Sequence, residues 1–240
     1  MNTPLLSIIF PAYNEESRLS KTLEQVHQFL EKQSYTSEIL VVENGSSDKT
    51  LEIAQSYQEK IPYLRVMHEE QSGKGRAVRR GMQEARGEYR FFCDVDLSMP
   101  IEEVNHFIPP ELPDSQIAIA SREVKGAIRY DEPQIRHLVG RVFNSLVRIL
   151  VLPKIHDSQC GFKCFRADIS DEIFSLQVTN GWAFDVELLY IARKKGYQIK
   201  EIPIPWYYNA ESKIRVIHDS VRMFKELLDI RLNDIKGIYD

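Results

Sequence analysis

Apolar and polar positions follow two alternating periods through the first half of the chain. LLSIIFPAY (5–13) is a short apolar run stopped by proline, as a buried strand should be. In NEESRLSKTLEQVHQFLEKQ (14–33), Leu19, Leu23, Val26, Phe29 and Leu30 recur at helical spacing, and the acids come early, where a helix N-terminus favours negative charge. SEILVVENGSSDKT (37–50) is a second strand running into a turn, with Ser47 or Asp48 as N-cap of a helix over 50–59. YLRVMHE (63–69) is a third strand, and QSGKGRAVRRGMQEARG (71–87) a glycine-bearing loop and basic helix closed by Gly87. EYRFFCDVD (88–96) is a fourth strand. The order βαβαβαβ with short connections predicts an α/β fold with a parallel, doubly wound, Rossmann-like sheet.

The second half is less regular. IEEVNHFIPPEL (101–112) predicts a short helix and a break, SQIAIASRE (115–123) a strand, and VKGAIRYDEPQ (124–134) a polar loop. IRHLVGRVFNSLVRILVLP (135–153) is a helix with a wide apolar face, which reads either as core packing or as a face lying in a membrane interface. HDSQCGFKCFRAD (156–168) reads as a loop carrying unlike chemical groups. WAFDVELLYIARKKG (182–196) is a helix ended by glycine, and YQIKEIPIPWYYN (197–209) a strand whose prolines put it near a sheet edge. A last amphipathic helix covers about 215–232 and poses the same choice as 135–153.

Composition narrows the class. At 240 residues, 43% hydrophobic and 28% charged, the chain fits one large domain. A formal net charge of −4 gives no support to a nucleic-acid partner. The three cysteines, Cys93, Cys160 and Cys164, suit reduced thiols in a cytoplasmic setting, and the last two lack the companions of a structural zinc site. No segment has the run of about 18 apolar residues a spanning helix needs, and the first residues carry no basic stretch of a signal peptide.

The strand FFCDVDLSMP (91–100) ends in two aspartates one residue apart. Alternate strand residues share a side, so Asp94 and Asp96 can together hold a divalent cation, at the sheet end where α/β folds bind ligands. Two solvated loop acids are the other reading. Neither common phosphate loop is present: PAYNEE after the first strand has no glycine, and GKGRAVRRG after the third is no Walker A loop.

PAYNEE, VVENGSSDKT, GKGRAVRRG and the DVD after the fourth strand resemble the family 2 glycosyltransferases of inverting GT-A type. SRE, DSQCGFK, WAFDVELL and SKI narrow the likeness to transferases that use polyprenyl phosphate, nearest the glucosyl branch acting on dolichyl phosphate, with the mannosyl branch close behind. The likeness covers nearly the whole chain. It implies one GT-A domain over 1–240, with a central, mostly parallel mixed sheet flanked by helices. Residues 1–98 would be the nucleotide-binding half and 99–240 the acceptor-binding half.

The resemblance also implies roles. Asp94 and Asp96 would hold Mg²⁺ or Mn²⁺, neutralising the charge on a departing nucleoside diphosphate. Pro11, Ala12, Tyr13, Glu15, Glu43, Gly45, Ser46 and Asp94 would bind the donor, UDP-glucose favoured and GDP-mannose the alternative. Many relatives have VDDGS where this chain has Val42-Glu43-Asn44-Gly45-Ser46, which leaves the base open. Lys74 reads as a donor contact or a solvated lysine. A hydroxyl acceptor needs a general base, yet no QxxRW motif and no clear ED pair is found. A polyprenyl phosphate is already ionised and needs cations instead. Arg122, Arg136, Arg141, Lys163 and Lys213 fall in the segments that contact phosphate in the resembling proteins. Asp157 would orient those cations or the sugar, Asp185 is an alternative base, and Asp185 with Glu187 could equally be salt-bridged scaffold. A lipid acceptor implies peripheral contact at the cytoplasmic membrane face, without the N-terminal anchor usual in eukaryotic relatives. A transferase acting on a saccharide hydroxyl is the remaining alternative.

Overall fold

The computed structural model describes residues 3–209 and 216–240, with side chains from 222 onward in the second segment. Lys213, one of the expected phosphate contacts, lies outside the described residues.

The first half follows the predicted order. Strand β1 (Leu6–Ala12) leads to helix α1 (Leu19–Leu30), β2 (Ser37–Glu43) to α2 (Thr50–Ser56), and β3 (Leu64–His68) to α3 (Lys74–Glu84), before β4 (Tyr89–Cys93). The strands pair in parallel in the order β3-β2-β1-β4. Residues 14–18 are a turn rather than helix, with Asn14 at φ 53°, so α1 starts later than its acids suggest. Lys49 precedes α2, and Asp48 accepts the Thr50 N–H at 3.0 Å, so that acid still satisfies a first-turn donor. Gly87 is not the helix stop. Its N–H donates to Ser7 Oγ at 2.7 Å, and a Cβ there would stand 2.6 Å from the Ser7 backbone, so close approach to β1 requires glycine.

The second half adds a 3-10 turn (Ile101–Phe107), β5 (Ile117–Ser121), β6 (Ile128–Tyr130), α4 (Gln134–Leu150), β7 (Phe162–Arg166), α5 (Ala167–Leu176), α6 (Phe184–Lys194), β8 (Ile199–Pro203), β9 (Pro205–Tyr207) and α7 (Val216–Ile235). Strand β7 corrects the loop expected over 156–168. It lies between β4 and β5, antiparallel to both, in a seven-stranded mixed sheet of order β3-β2-β1-β4-β7-β5-β8. Strand β8 pairs parallel with β5 at the sheet edge, as its prolines predict. The polar loop expected over 124–134 contributes β6, which pairs with β9 in a separate two-stranded ribbon.

Both faces of the sheet are covered, so its strands are apolar almost throughout. Ile8, Phe10, Phe91 and Phe162 pack toward α1, α2 and the 3-10 turn. Ile9, Phe92 and Phe165 pack toward α3, α5 and α6. Phe91, Phe107 and Phe162 form a triad of edge-on rings with centroids 4.4–5.4 Å apart.

The reversal at β7 brings the chemistry together. Because β7 runs against β4, Cys93 pairs with Phe162, and the loop before β7 meets the loop after β4. DSQCG is thereby laid against DVD.

Candidate active site

The carboxyl ends of β1, β2, β4 and β5, with the loops before β7 and α6, enclose a cavity of roughly 680 Å³. This is where an open α/β sheet binds ligands. Pro11, Tyr13, Glu15 and Arg18 line it from the end of β1, Asn44 from β2, Gly73 and Lys74 from α3, and Asp94 and Asp96 from β4. Arg122, Arg129, Arg136, Trp206 and Asp157 line the same cavity.

Asp94 and Asp96 both reach the cavity. Asp94 Oδ1 lies 2.5 Å from Lys74 Nζ, and Asp96 Oδ1 accepts the Ser98 N–H at 3.1 Å. Burial, and then the neighbouring Asp94, push the Asp96 carboxyl above its ordinary value. Burial pulls the Lys74 ammonium down, but Asp94, Asp185 and Asp96 hold it above its usual range. Gly161 makes the space for Asp94: a Cβ built there would lie 2.2 Å from Asp94 Oδ2 and 2.7 Å from Cγ, and Gly161 O accepts the Asp94 N–H at 3.2 Å. The glycine of DSQCGFK is thus a cradle for the first aspartate of DVD.

This donor set fits Mg²⁺ or Mn²⁺. Both carboxylates face one cavity, and no group of three or more acid, His or Cys ligands exists among the described residues. The other ligands would be water and phosphate oxygens, as hard cations commonly take.

The expected donor residues divide. Pro11, Tyr13, Glu15, Lys74 and Asp94 line the cavity, whereas Ala12, Glu43, Gly45 and Ser46 build the turns behind it. Glu43 is buried, with Oε2 2.5 Å from His68 Nδ1 and Oε1 accepting the Ser46 N–H. Ser46 Oγ accepts the Asn14 N–H at 2.9 Å, and Ala12 O accepts the Asn44 N–H at 3.0 Å. The Asn44 amide, turned to satisfy its neighbours, donates to Ala12 O and accepts the Gly73 N–H at 3.0 Å. Gly45, at φ +73°, passes close to Glu70 O.

The acceptor calls divide too. Arg122 lines the cavity in a two-pronged pair with Asp157, Nε to Oδ2 at 2.7 Å and Nη2 to Oδ1 at 2.9 Å. Burial acts to raise the Asp157 carboxyl, but Arg122 outweighs it and holds the group at about 2. Asp157 therefore fixes a cation. The Asp157 N–H is itself held by Glu201 of β8 at 3.0 Å. Arg136 lines the cavity with its guanidinium 5.0 Å from the Tyr208 ring. Arg141 corrects its expectation: it sits five residues on, roughly 140° around the helix from Arg136, exposed and away from the cavity. Lys163 is also corrected. It is fully buried in β7, with Nζ 2.5 Å from Asp185 Oδ1 and donating to Cys160 O, so it neutralises Asp185 and cannot meet a ligand. Glu187 is scaffold, accepting the Thr179 N–H at 2.8 Å and the Tyr239 hydroxyl at 2.7 Å.

Sequence reading misses Arg18, Arg129, Trp182 and Trp206. Arg129 sits in the three-residue β6, whose segment reads as a polar loop. The Trp206 ring neighbours both Arg122 and Arg129, its centroid 5.4 and 5.8 Å from the two guanidinium carbons. Arg18 follows PAYNEE closely enough that the motif could have signalled it.

Helix α4 settles one alternative. Only Phe143 and Val147 of it are buried, while Ile135, Leu138, Val142 and Ile149 are 57–79% exposed. With Leu146 they recur at helical spacing as one outward stripe, next to the stripe of Arg136, Val139, Gly140 and Phe143 that lines the cavity. The face is not core. No helix among the described residues is long and apolar enough to cross a membrane.

Residues 7–174 match the family described as Glycosyl transferase family 2. The chain is 34% identical over 250 residues to the dolichyl-phosphate beta-glucosyltransferase of Dictyostelium discoideum, covering 98% of this chain and 76% of that protein. Against the protein of that name from Saccharomyces cerevisiae the identity is 36% over 256 residues, with coverage of 98% and 76%. Among solved structures, glucosyl-3-phosphoglycerate synthase from Mycobacterium tuberculosis, in complex with Mn²⁺, uridine-diphosphate and phosphoglyceric acid, superposes with a TM-score of 0.68 at 18% identity. The match covers 96% of this chain and 78% of that one. At that identity the likeness establishes the GT-A fold.

Proposed function

The chain belongs to glycosyl transferase family 2, and from that premise we propose that it moves glucose from UDP-glucose to a polyprenyl phosphate with inversion. The observation that carries this reading is one cavity lined by both the carboxylate pair and Arg122, Arg129 and Arg136. The curated relatives are named for dolichyl phosphate and glucose, which supports the acceptor class and the sugar.

Asp94 and Asp96 would hold a divalent cation, which would act as a Lewis acid on the departing diphosphate. Tyr13, Pro11 and Glu15 line the same cavity and would receive the nucleoside. Arg122 and Arg136, with Arg129 beside them, would draw the acceptor phosphate to the far side of the sugar, the direction inversion needs. Arginine suits this because its forked donors match phosphate oxygens. The cavity acids Asp157 and Asp185 are held by Arg122 and Lys163. Asp157, held low by Arg122, is a poor general base, which favours an acceptor already ionised over a sugar hydroxyl, whereas burial raises the Asp185 carboxyl despite its Lys163 partner.

The outward stripe of α4 would lie in the membrane interface at the cytoplasmic face, putting the arginines at lipid headgroup depth. Exposed Phe224, Leu228, Leu232 and Ile235 of α7 would extend that surface.

The test is a kinetic separation. Arg136→Ala should raise the KM for a short polyprenyl phosphate by about tenfold or more while UDP-glucose binding stays unchanged. Arg122→Ala should do the same at greater cost in stability, because it strands the buried Asp157. Unchanged lipid-phosphate kinetics in both variants would sink the assignment of these arginines.

A further inference from the structure

Each carboxylate of the DVD pair faces a cation supplied from the start of a different helix. Lys74 is the first residue of α3, with Nζ 2.5 Å from Asp94 Oδ1. Arg18 immediately precedes α1, with Nη1 4.0 Å from Asp96 Oδ2. The two holds differ in strength. Lys74 is in direct contact and lies over the Trp182 ring at 5.6 Å. Arg18 is anchored through Nε by Glu15, and its Nη1 is buried with no hydrogen-bond partner among the described residues. An orphaned guanidinium nitrogen at a cavity wall is a donor in want of an anion.

Without a metal, the two acids are thus balanced by two bases. A divalent cation must bind the same oxygens, and Asp94 Oδ1 cannot take it while an ammonium sits 2.5 Å away. Like charges that close repel strongly in a shielded site. The lysine has a flexible four-carbon stem and can turn away, but only toward another anion. Asp185 is already paired with Lys163. The remaining anion is one the ligand brings.

We propose that Lys74 and Arg18 are exchangeable counter-ions, which neutralise Asp94 and Asp96 in the ligand-free protein and pass to the diphosphate of the ligand when a divalent cation takes their place. This rests on the metal reading given above and adds a linkage to it. Metal and nucleoside diphosphate each remove the obstacle to the other, so they bind together far better than singly. Lys74 carries most of the effect, because its contact is direct, and Arg18 a smaller part.

The test is Mn²⁺ binding followed by electron paramagnetic resonance, with and without UDP or GDP, on the whole chain. The wild type should bind Mn²⁺ weakly alone and at least about fivefold more tightly with a nucleoside diphosphate. Lys74→Met should tighten Mn²⁺ binding in the absence of nucleotide and shrink the gain that nucleotide brings. Arg18→Gln should shift both quantities the same way by less, and Lys74→Arg should retain the linkage. A lysine that merely supports the loop would give the opposite sign: metal binding alone would weaken or stay unchanged in Lys74→Met, and that result overturns the exchange. If Lys74→Met does not fold, the Arg18→Gln pair of measurements decides on the same signs. Absence of Mn²⁺ binding by the wild type with either nucleotide would overturn the metal reading and the exchange together. Intact linkage with no sugar transfer would uphold the exchange and count against the transferase reading alone.

Discussion

At the residue scale, the aspartates that end β4 work only because of what surrounds them. Asp94 occupies the volume a Cβ at position 161 would need, so Gly161→Ala should displace it by about an ångström. A shift of that size at reacting groups costs roughly a hundredfold in turnover. The expected result is a fall in kcat and a higher metal requirement at nearly unchanged melting temperature, read from metal titrations beside thermal melts. Asp157 yields a pH prediction. Its folded value of about 2 lies below the ordinary aspartate value of 3.8, so the stability it confers is present above 3.8 and is lost as pH falls through 2. The stability gap between wild type and Asp157→Asn, measured by denaturant melts, should be constant from pH 7 to about 4 and should close below that. A gap that closed already between pH 7 and 5 would mean that Asp157 is not held by Arg122. Much of this site is legible in the chain. Asp94, Asp96 and Arg122 stand in motifs whose chemistry is readable, and Arg136 in a segment that the resemblance marks as a phosphate contact. Lys163 is not, because a lysine in DSQCGFK reads as a phosphate contact until β7 is seen to bury it against Asp185.

At the scale of elements, legibility follows periodicity. Helix α1 shows five apolar positions at helical spacing, and β1, β2 and β4 are apolar runs bounded by proline, glycine or acids, so the first half reads through. Strand β7, as long as β4, carries a lysine and an arginine (FKCFR) where β4 is apolar at its end, and β6 has three residues, too short to carry a period. Helix α4 is the opposite case: its period is plain, but sequence cannot tell whether the stripe faces core or solvent. The fold leaves it exposed. Replacing Leu138, Val142 and Ile149 together by glutamate should leave stability within about 1 kcal/mol, as surface changes do. It should abolish cosedimentation with vesicles containing anionic lipid. A variant that sediments like wild type would show that α4 is not the membrane face.

At the scale of the whole molecule, a mixed sheet with one reversed strand gathers its chemistry at one end. The parallel strands deliver Tyr13, Asp94 and Asp96, and the antiparallel β7 returns Asp157 and Gly161 to the same mouth. The carboxylate pair and the arginines then share one cavity, beside an exposed apolar helix. The most direct measurement is transfer of labelled sugar into organic-extractable lipid. Purified protein would meet a short polyprenyl phosphate, Mg²⁺ or Mn²⁺, and UDP-glucose, UDP-GlcNAc or GDP-mannose in parallel, with a chelator control and the Asp96→Asn variant. Label should enter the lipid phase from UDP-glucose, vanish with chelator, and fall by at least about a hundredfold in Asp96→Asn. Donor turnover with no label in lipid, or label that persists in the variant and with chelator, would contradict the assignment of the carboxylate pair and the arginines.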